Sequence, residues 1–397
     1  MKYDNQLRYA LEITGTYRGE IPLHVWLKQY FRDHPQMGSR DRKQLSDMVY
    51  CYYRLGHAMA GQDRKEKILT GLFLCNRSAS PALAYFRPAW NEMTGLPLTE
   101  KMALVKDHFR PSEIFPWPGE LSSGIDPLAF CHSMLLQPDL FIRIRPGHRE
   151  RVLEKLRQAA IAYRETGPDC LALGNQTSLE KVLDINREAV IQDYSSQQVG
   201  RFFLPPEGRG VPGGISAWDC CAASGGKSIM LQDLYPQLDL TVSDIRESIL
   251  HNLHKRFAQA GMKNYHSFRA DLTDPAASLP KAGFDLVIAD LPCSGSGTWS
   301  RTPEALCFYD PARTESYALI QRKILSRASQ ALKKNGRLIY ITCSVFRQEN
   351  EEVAAFAERT LGLRAEKKEI LAGYRDRADS LFAASFVRAG RENERRD

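Results

Sequence analysis

Cys293, in Asp290-Leu-Pro-Cys-Ser-Gly-Ser-Gly297, and Cys343, in Tyr340-Ile-Thr-Cys-Ser344, each follow the end of an apolar run. Both runs read as neighbouring strands of one sheet, so the two thiols should converge on one place. Two thiols that are neither a disulfide nor metal ligands suit covalent chemistry with an attack step and a release step. The chain has 9 cysteines in 397 residues, scattered and with no C-x-x-C pair, which supports neither a disulfide framework nor a zinc site. No metal is expected, and the other cysteines read as small buried hydrophobes.

A second cluster opens with Asp219-Cys-Cys221-Ala222-Ala223-Ser224-Gly225-Gly226-Lys227. Small residues and paired glycines between a strand and a helix let backbone approach a ligand, and the helix N-terminus adds a favourable dipole. The spacing is neither G-x-G-x-x-G nor a Walker loop, so a nucleotide phosphate is not specified. Asp244, Asp271 and Asp290 close three further strands. An acid ending the second strand of such a sheet can accept hydrogen bonds from both ribose hydroxyls of a cofactor. An acid after the third can meet an adenine amino group, although Asp271 alone also fits a turn or cap. Three strand ends each closing in Asp point to a nucleoside cofactor.

These residues need a sheet to position them. From Ala189 strands and helices alternate. The strands expected are Ile215–Cys220, Leu240–Asp244, Ser267–Ala270, Phe284–Asp290, Arg337–Thr342 and Leu381–Val387. Between them the periodicity predicts helices Lys227–Tyr235, Glu247–Ala260, Ala312–Lys334 and Glu349–Leu361. Alternation of this kind predicts an α/β doubly wound sheet whose ligands sit beyond the carboxyl ends of the strands. Residues 1–130 read as helical, with Asn5–Tyr17, Leu23–Phe31, Ser39–Leu55 and Lys65–Leu74 periodic and Ser39 a candidate cap. Residues 131–188 read as a small α+β module, 189–390 as the sheet domain and 391–397 as a charged tail. Pro111, Pro116 and Pro118 suit a linker or rigid loop.

The module's strand, Leu140-Phe-Ile-Arg-Ile-Arg145, alternates apolar and basic residues, and a helix Arg149–Ala162 should follow. Its cationic outer face suits a phosphate backbone, and an edge strand guarded by charge fits equally well. A second basic run holds Arg32, Arg40, Arg42 and Lys43. The net charge of +7 and pI near 8.9 favour a polyanionic partner such as RNA. A hydrophobic fraction of 43% and no apolar run of bilayer length describe a soluble, cytoplasmic chain with no secretory leader.

Taken together, these motifs resemble those of the RsmB/Nop2/Sun family of S-adenosylmethionine-dependent RNA cytosine-5 methyltransferases. The resemblance runs through the Asp219–Lys227 loop, the Asp290–Gly297 segment, and Thr342-Cys343-Ser344 with Glu349-Asn-Glu351 after it. Ile191–Gln198 and Leu381–Val387 match as well, so nearly the whole chain is covered. The resemblance implies a Rossmann-like methyltransferase sheet, preceded by a small RNA-binding module and an all-α NusB-like domain. It implies S-adenosylmethionine as cofactor, held by Cys221 to Lys227, Asp244, Asp271 and Asp290. It gives the attack on carbon 6 of cytosine to Cys343, the release step to Cys293 and the contact with the cytosine edge to Asp290.

An ordinary thiol is only a few per cent thiolate at neutral pH, so positive charge is expected near Cys343, with Lys227 a possible source. Ser224 stands where the family's loop has proline, and Leu291 where Ala or Pro is usual. The basic residue expected after the ribose-binding acid is not obvious, Asn252 and His254 being the candidates. The expected substrate is ribosomal RNA first and transfer RNA second, and the expected state a monomer. A DNA cytosine-5 methyltransferase would use the Pro-Cys thiol and need no second one. A non-catalytic RNA-binding assembly factor on the same fold would not need to bind the cofactor.

Overall fold

The computed structural model describes residues 3–205, 214–281 and 283–388, which form two compact units. The expected charged tail, 391–397, lies outside the described residues. One unit draws on Met1–Leu121, Ile125–Pro138 and Thr298–Pro311, the other on Ser122–Gly124, Asp139–Gly297 and Ala312–Asp397.

The first unit is helical. Its main helices, Tyr3–Thr16, Leu23–Asp33, Ser39–Arg54 and Arg64–Cys75, match the four expected within a few residues. Each carries an apolar stripe that supplies core residues such as Ile13, Leu27, Leu45, Val49 and Leu72. Ser39 is not the cap. Gly38 takes that position, Ser39 is the first helical residue, and no side chain caps this end. Short helices such as Pro81–Phe86, Pro88–Glu92, Leu98–Leu104 and Pro127–Met134 escape the periodicity because none has more than eight residues.

The second unit holds two sheets. In the small one, β1 (Leu140–Ile144), β2 (Tyr163–Gly167), β3 (Cys170–Leu173) and β4 (Ala189–Ile191) lie in the order β2-β3-β1-β4. Its helix is Arg149–Gln158, shorter than expected because Ala160 adopts a positive φ and turns the chain. The basic strand does not present a cationic outer face. Arg143 pairs with Asp233 at 2.6 Å and Arg145 pairs with it at 2.8 Å, their side chains only 10% and 13% exposed against 7% for Asp233. Arg143 also donates to Gln192 (3.0 Å), and Arg145 to the Ala260 carbonyl (2.6 Å). These charges can be buried because each is paired, and they fix β1 against the helix Gly226–Leu234 that carries Asp233.

The large sheet contains β5 (Ile215–Asp219), β6 (Leu238–Asp244), β7 (His266–Arg269), β8 (Phe284–Asp290), β9 (Leu332–Thr342), β10 (Leu363–Leu371) and β11 (Leu381–Arg388). Its order is β10-β11-β9-β8-β5-β6-β7, and only the β11 pairings are antiparallel. This is the doubly wound arrangement expected. Central strands such as Leu286-Val-Ile-Ala289 and Leu338-Ile-Tyr-Ile341 are buried on both faces and therefore read as unbroken apolar runs.

Two elements differ from expectation. The helix expected over Ala312–Lys334 stops at Ala328, and β9 begins at Leu332. Leu332 pairs with Phe284, and the register then slips by a bulge across Lys333–Gly336, where Asn335 has a positive φ. Pairing against β8 overrides the helical character of Leu332-Lys-Lys. The unanticipated strand is β10, an edge strand whose Lys367, Lys368 and Glu369 hide its alternation and guard it against mispairing.

Removing one carboxylate from the Arg143–Asp233–Arg145 group strands two buried guanidinium groups. Asp233→Ala should cost about 3–5 kcal/mol in chemical denaturation. Glu165→Ala, which breaks an exposed pair with Arg149, should cost less than about 1 kcal/mol. Equal losses in the two variants would contradict this reading.

Candidate active site

Parallel register gathers the motifs at one edge of the large sheet. Asp219 pairs with Ile288 and Asp290 with Ile341, so the segments after β5, β8 and β9 leave the sheet side by side. The backbone N–H of Leu291 donates to the Ile341 carbonyl (3.0 Å), and that of Gly297 to the Cys343 carbonyl (2.9 Å). These bonds lash the two cysteine loops together. Sγ of Cys293 lies 3.3 Å from Sγ of Cys343, across 50 residues of sequence, and both side chains are partly exposed.

Lys227 joins the same site from the first turn of Gly226–Leu234. Its ammonium lies 2.7 Å from the Asp290 carboxylate and 3.3 Å from the Ser196 hydroxyl. Burial works against this ammonium. The Asp290 charge and hydrogen bond, with help from the Cys343 and Asp219 charges, outweigh burial and hold Lys227 above its ordinary range. The cation thus lies within Coulombic reach of Cys343. Cys293 is pushed well above the usual thiol range by its hydrogen bond to Cys343, by burial and by the Cys343 and Glu349 charges.

The small-residue loop is held in an unusual backbone. Ala223 and Gly225 both have positive φ, and a Cβ on Gly225 would come within 2.4 Å of the Phe257 ring. The N–H of Ala222 donates to the Ser243 carbonyl (2.9 Å), and that of Ala223 to the Asp244 carboxylate (3.1 Å). Ser224 is exposed and receives Arg256, whose Nη1 donates to its Oγ at 2.9 Å. Cys221 hydrogen-bonds the buried Cys220 thiol, which is pushed well above its ordinary range by that contact and by burial. Asp219 is buried at the root of the loop and accepts from Ser228 (2.7 Å), while its Oδ1 has no partner among the described residues. Burial pushes its carboxyl up to about 7, with the Asp290 and Asp244 charges adding.

Asp244 closes β6 within the loop's reach. Asp271 takes the Thr273 backbone N–H (2.9 Å) and hydroxyl (2.6 Å) on one oxygen, which forms a turn and holds its carboxyl below the usual range. The basic partner of Asp244 is neither Asn252 nor His254. His254 bonds the Tyr265 hydroxyl at 2.8 Å, whereas Arg246 donates its backbone N–H (3.0 Å) and Nε (3.4 Å) to Asp244. Arg246 was legible as the cation two residues beyond the acid.

Glu349 has no role in the sequence reading beyond its motif, yet it is fully buried between the cysteine loops. Its carboxylate accepts the Ser294 N–H (2.8 Å), the Ser344 hydroxyl (2.6 Å) and the Gln321 amide (3.2 Å). Asn350 braces the same turn through Thr342 (2.5 Å) and the Ser344 carbonyl (2.9 Å). A Glu-Asn pair following a Thr-Cys-Ser turn was the only signal of this network. Among the described residues no group of three or more His, Cys, Asp or Glu side chains is placed to hold a metal ion, and no helix is long and apolar enough to cross a membrane.

Strand order defines a Rossmann-like α/β domain. Residues 214–373 match the family described as 16S rRNA methyltransferase RsmB/F. Ribosomal RNA small subunit methyltransferase B of Xylella fastidiosa is 32% identical over 232 residues, 57% of this chain and 53% of the relative. The protein of that name from Klebsiella pneumoniae is 28% identical over 230 residues, 56% and 52% respectively. The chain therefore spans about half the length of the curated relatives it matches. The solved protein PH0851 superposes with a TM-score of 0.66 at 16% identity, over 98% of this chain and 99% of its own. NSun6 from Pyrococcus horikoshii, solved with SFG, gives 0.56 at 15% identity over 64% and 92%. Likeness at these identities establishes the fold.

Asp219 makes a pH-dependent prediction. A carboxyl raised above its unfolded value of about 4 binds a proton preferentially in the folded state, so stability falls as pH rises from about 4 to 7. Asp219→Asn should remove that loss. Its stability relative to the parent chain should be roughly 2–4 kcal/mol better at pH 8 than at pH 4 in urea titrations. Parallel pH profiles would count against the buried charge.

Gly225→Ala combines a strained φ with a clash against Phe257. It should cost about 2 kcal/mol or more by thermal unfolding, and an unchanged melting point would contradict the close approach.

Proposed function

We propose that this chain transfers a methyl group from S-adenosylmethionine to carbon 5 of a cytosine in RNA through a covalent cysteine adduct. Ribosomal RNA is the first candidate substrate and transfer RNA the second. The observation that carries the reading is the pair of thiols 3.3 Å apart, with the Lys227–Asp290 ion pair beside them. The RsmB/F family match and the methyltransferase names of the relatives support the methyl-transfer part of it.

The loop fits a nucleoside cofactor. Ala222 to Gly226 form an open turn of small residues whose left-handed Gly225 leaves no room for a Cβ, and Asp244 offers a buried carboxylate next to it. Those residues, with Asp271, would hold S-adenosylmethionine, which when bound supplies the methyl group.

The remaining steps belong to the chain. Carbon 5 of cytosine is a weak nucleophile until a thiolate adds to carbon 6. Cys343 makes that bond, favoured by the Lys227 cation within its reach. Asp290 accepts hydrogen bonds from the ring nitrogen and amino edge and so stabilises protonation of the ring as sulfur adds. Once carbon 5 is methylated, its proton passes to a water molecule, the freed electron pair re-forms the double bond between carbons 5 and 6, and the carbon–sulfur bond breaks with Cys343 leaving as a thiolate. Cys293, a protonated thiol 3.3 Å away, assists release by donating a hydrogen bond to the departing Cys343 sulfur.

The cytosine must be unpaired or extruded, at a cost of a few kcal/mol that contacts with phosphate can offset. Exposed Arg32, Arg40 and Lys43 on the helical unit are candidates for those contacts, as is Arg151 on the small module. We assign the chain to the cytoplasm, working as a monomer.

Separate substitution of the two thiols tests the assignment. Cys293→Ala incubated with RNA and S-adenosylmethionine should leave a persistent protein–RNA adduct on denaturing gels. Cys343→Ala should leave none, and both should lose turnover by at least about a hundredfold. The reverse pattern of adducts would give the attack to Cys293.

A further inference from the structure

We propose that Glu349 is the positioning residue of the two-thiol site: its carboxylate ties the loop bearing Cys293 to the loop bearing Cys343 and keeps a proton on Cys293. The role rests on the methyltransferase reading for its purpose, since only there must one thiol attack and the other wait.

Ser294 and Ser344 each directly follow one of the two cysteines, and both donate to the Glu349 carboxylate, at 2.8 and 2.6 Å. Their hydroxyls also bond each other at 3.1 Å, and Ser296 bonds both, at 3.0 and 3.2 Å. Glu349 is therefore the acceptor on which the two loops close. The Ser294 backbone N–H and the Gln321 amide can only donate, so they require oxygen lone pairs and favour the ionised carboxylate. Burial opposes that charge and pushes the Glu349 carboxyl up, while the serine and glutamine hydrogen bonds pull it back.

A carboxylate here places the pair in an uneven field. Lys227 lies within Coulombic reach of Cys343, and Glu349 within reach of Cys293. Also within Coulombic reach of Cys293 is the Tyr340 phenol on β9, held protonated by burial despite the opposing Arg322 charge. Tyr340 shares its one hydroxyl proton between the Glu349 carbonyl and the Gln321 side-chain oxygen (3.0 Å), so it adds no negative charge. The nearby anion disfavours a thiolate on Cys293.

Thiol reactivity reads this without RNA or cofactor. Iodoacetamide modification of Cys293 and Cys343 can be followed separately, by peptide mass spectrometry on the full chain across pH 6 to 10. In Glu349→Gln, which removes the charge and nearly keeps the shape, Cys293 should react at least about fivefold faster at pH 8. Cys343 should stay within about twofold of the parent chain. Glu349→Asp, which retains the charge, should keep Cys293 within about twofold of the parent rate.

An unchanged Cys293 rate in Glu349→Gln would overturn the proposal, and so would both thiols accelerating together, the mark of a loosened brace. If Glu349→Gln does not fold, Glu349→Asp decides: Cys293 reacting at the rate of the urea-unfolded chain overturns it, and a protected Cys293 upholds it. Failure of methyl transfer in a separate assay would sink the functional reading while leaving these rates as they are.

Discussion

Parallel pairing of β8 with β9 brings Asp290 opposite Ile341, and both strands then end at the same edge of the sheet. Neither cysteine loop could be shortened or moved without losing the sulfur contact, because Leu291 and Gly297 hydrogen-bond across to the β9 segment. Gly297 has no room for a side chain, since a Cβ would come within 1.9 Å of the Ser380 carbonyl. The β11 side of the sheet thereby presses on the same turn. Thiols so confined are neighbours whatever their chemistry, and under the proposed reaction electrostatics must make them different.

That difference comes from charges carried on separate elements. Lys227 stands at a helix N-terminus, where the helix dipole disfavours a cation, and the Asp290 ion pair compensates it. Glu349 is buried just before Glu351–Leu361, where it would be costly if unsatisfied, and three donors converge on it. In partly desolvated surroundings such charges act more strongly than they would in water. Burial likewise pushes the Asp219 carboxyl up to about 7, and its Oδ1 has no partner among the described residues.

What the sequence made legible follows from how local each signal is. The thiols, the Gly225–Gly226 turn and the strand-end acids all sit at boundaries between an apolar run and small or polar residues, and all emerge at the sheet edge. Arg143 and Arg145 were misread because alternation shows that a side chain leaves the strand plane, and cannot show that Asp233 waits 90 and 88 residues on. Leu332-Lys-Lys read as helix because its strand character depends on pairing with Phe284. The role of Glu349 was hidden for the same reason. A glutamate before a helix looks like an ordinary first-turn acid until Ser294, from another strand end, is found donating to it.

The Ala222–Gly226 loop shows how a departure from a motif can be absorbed by a distant residue. Proline in place of Ser224 would fix one φ angle and donate nothing. Serine surrenders that restraint and gains a hydroxyl, and Arg256 bonds both its Oγ (2.9 Å) and its carbonyl (3.3 Å). The same guanidinium donates Nε to Asn186 at 2.8 Å, and Asn186 lies in the turn between the small sheet's β3 and β4. Asn186 in turn donates to Gln259 (2.8 Å) on the Glu247–Gln259 helix that carries Arg256. The loop is thus restrained by a guanidinium that also holds the small sheet. Any movement of that sheet on its Asp233 mount must be felt at Ser224, so the serine exchanges a local restraint for one shared with the neighbouring module.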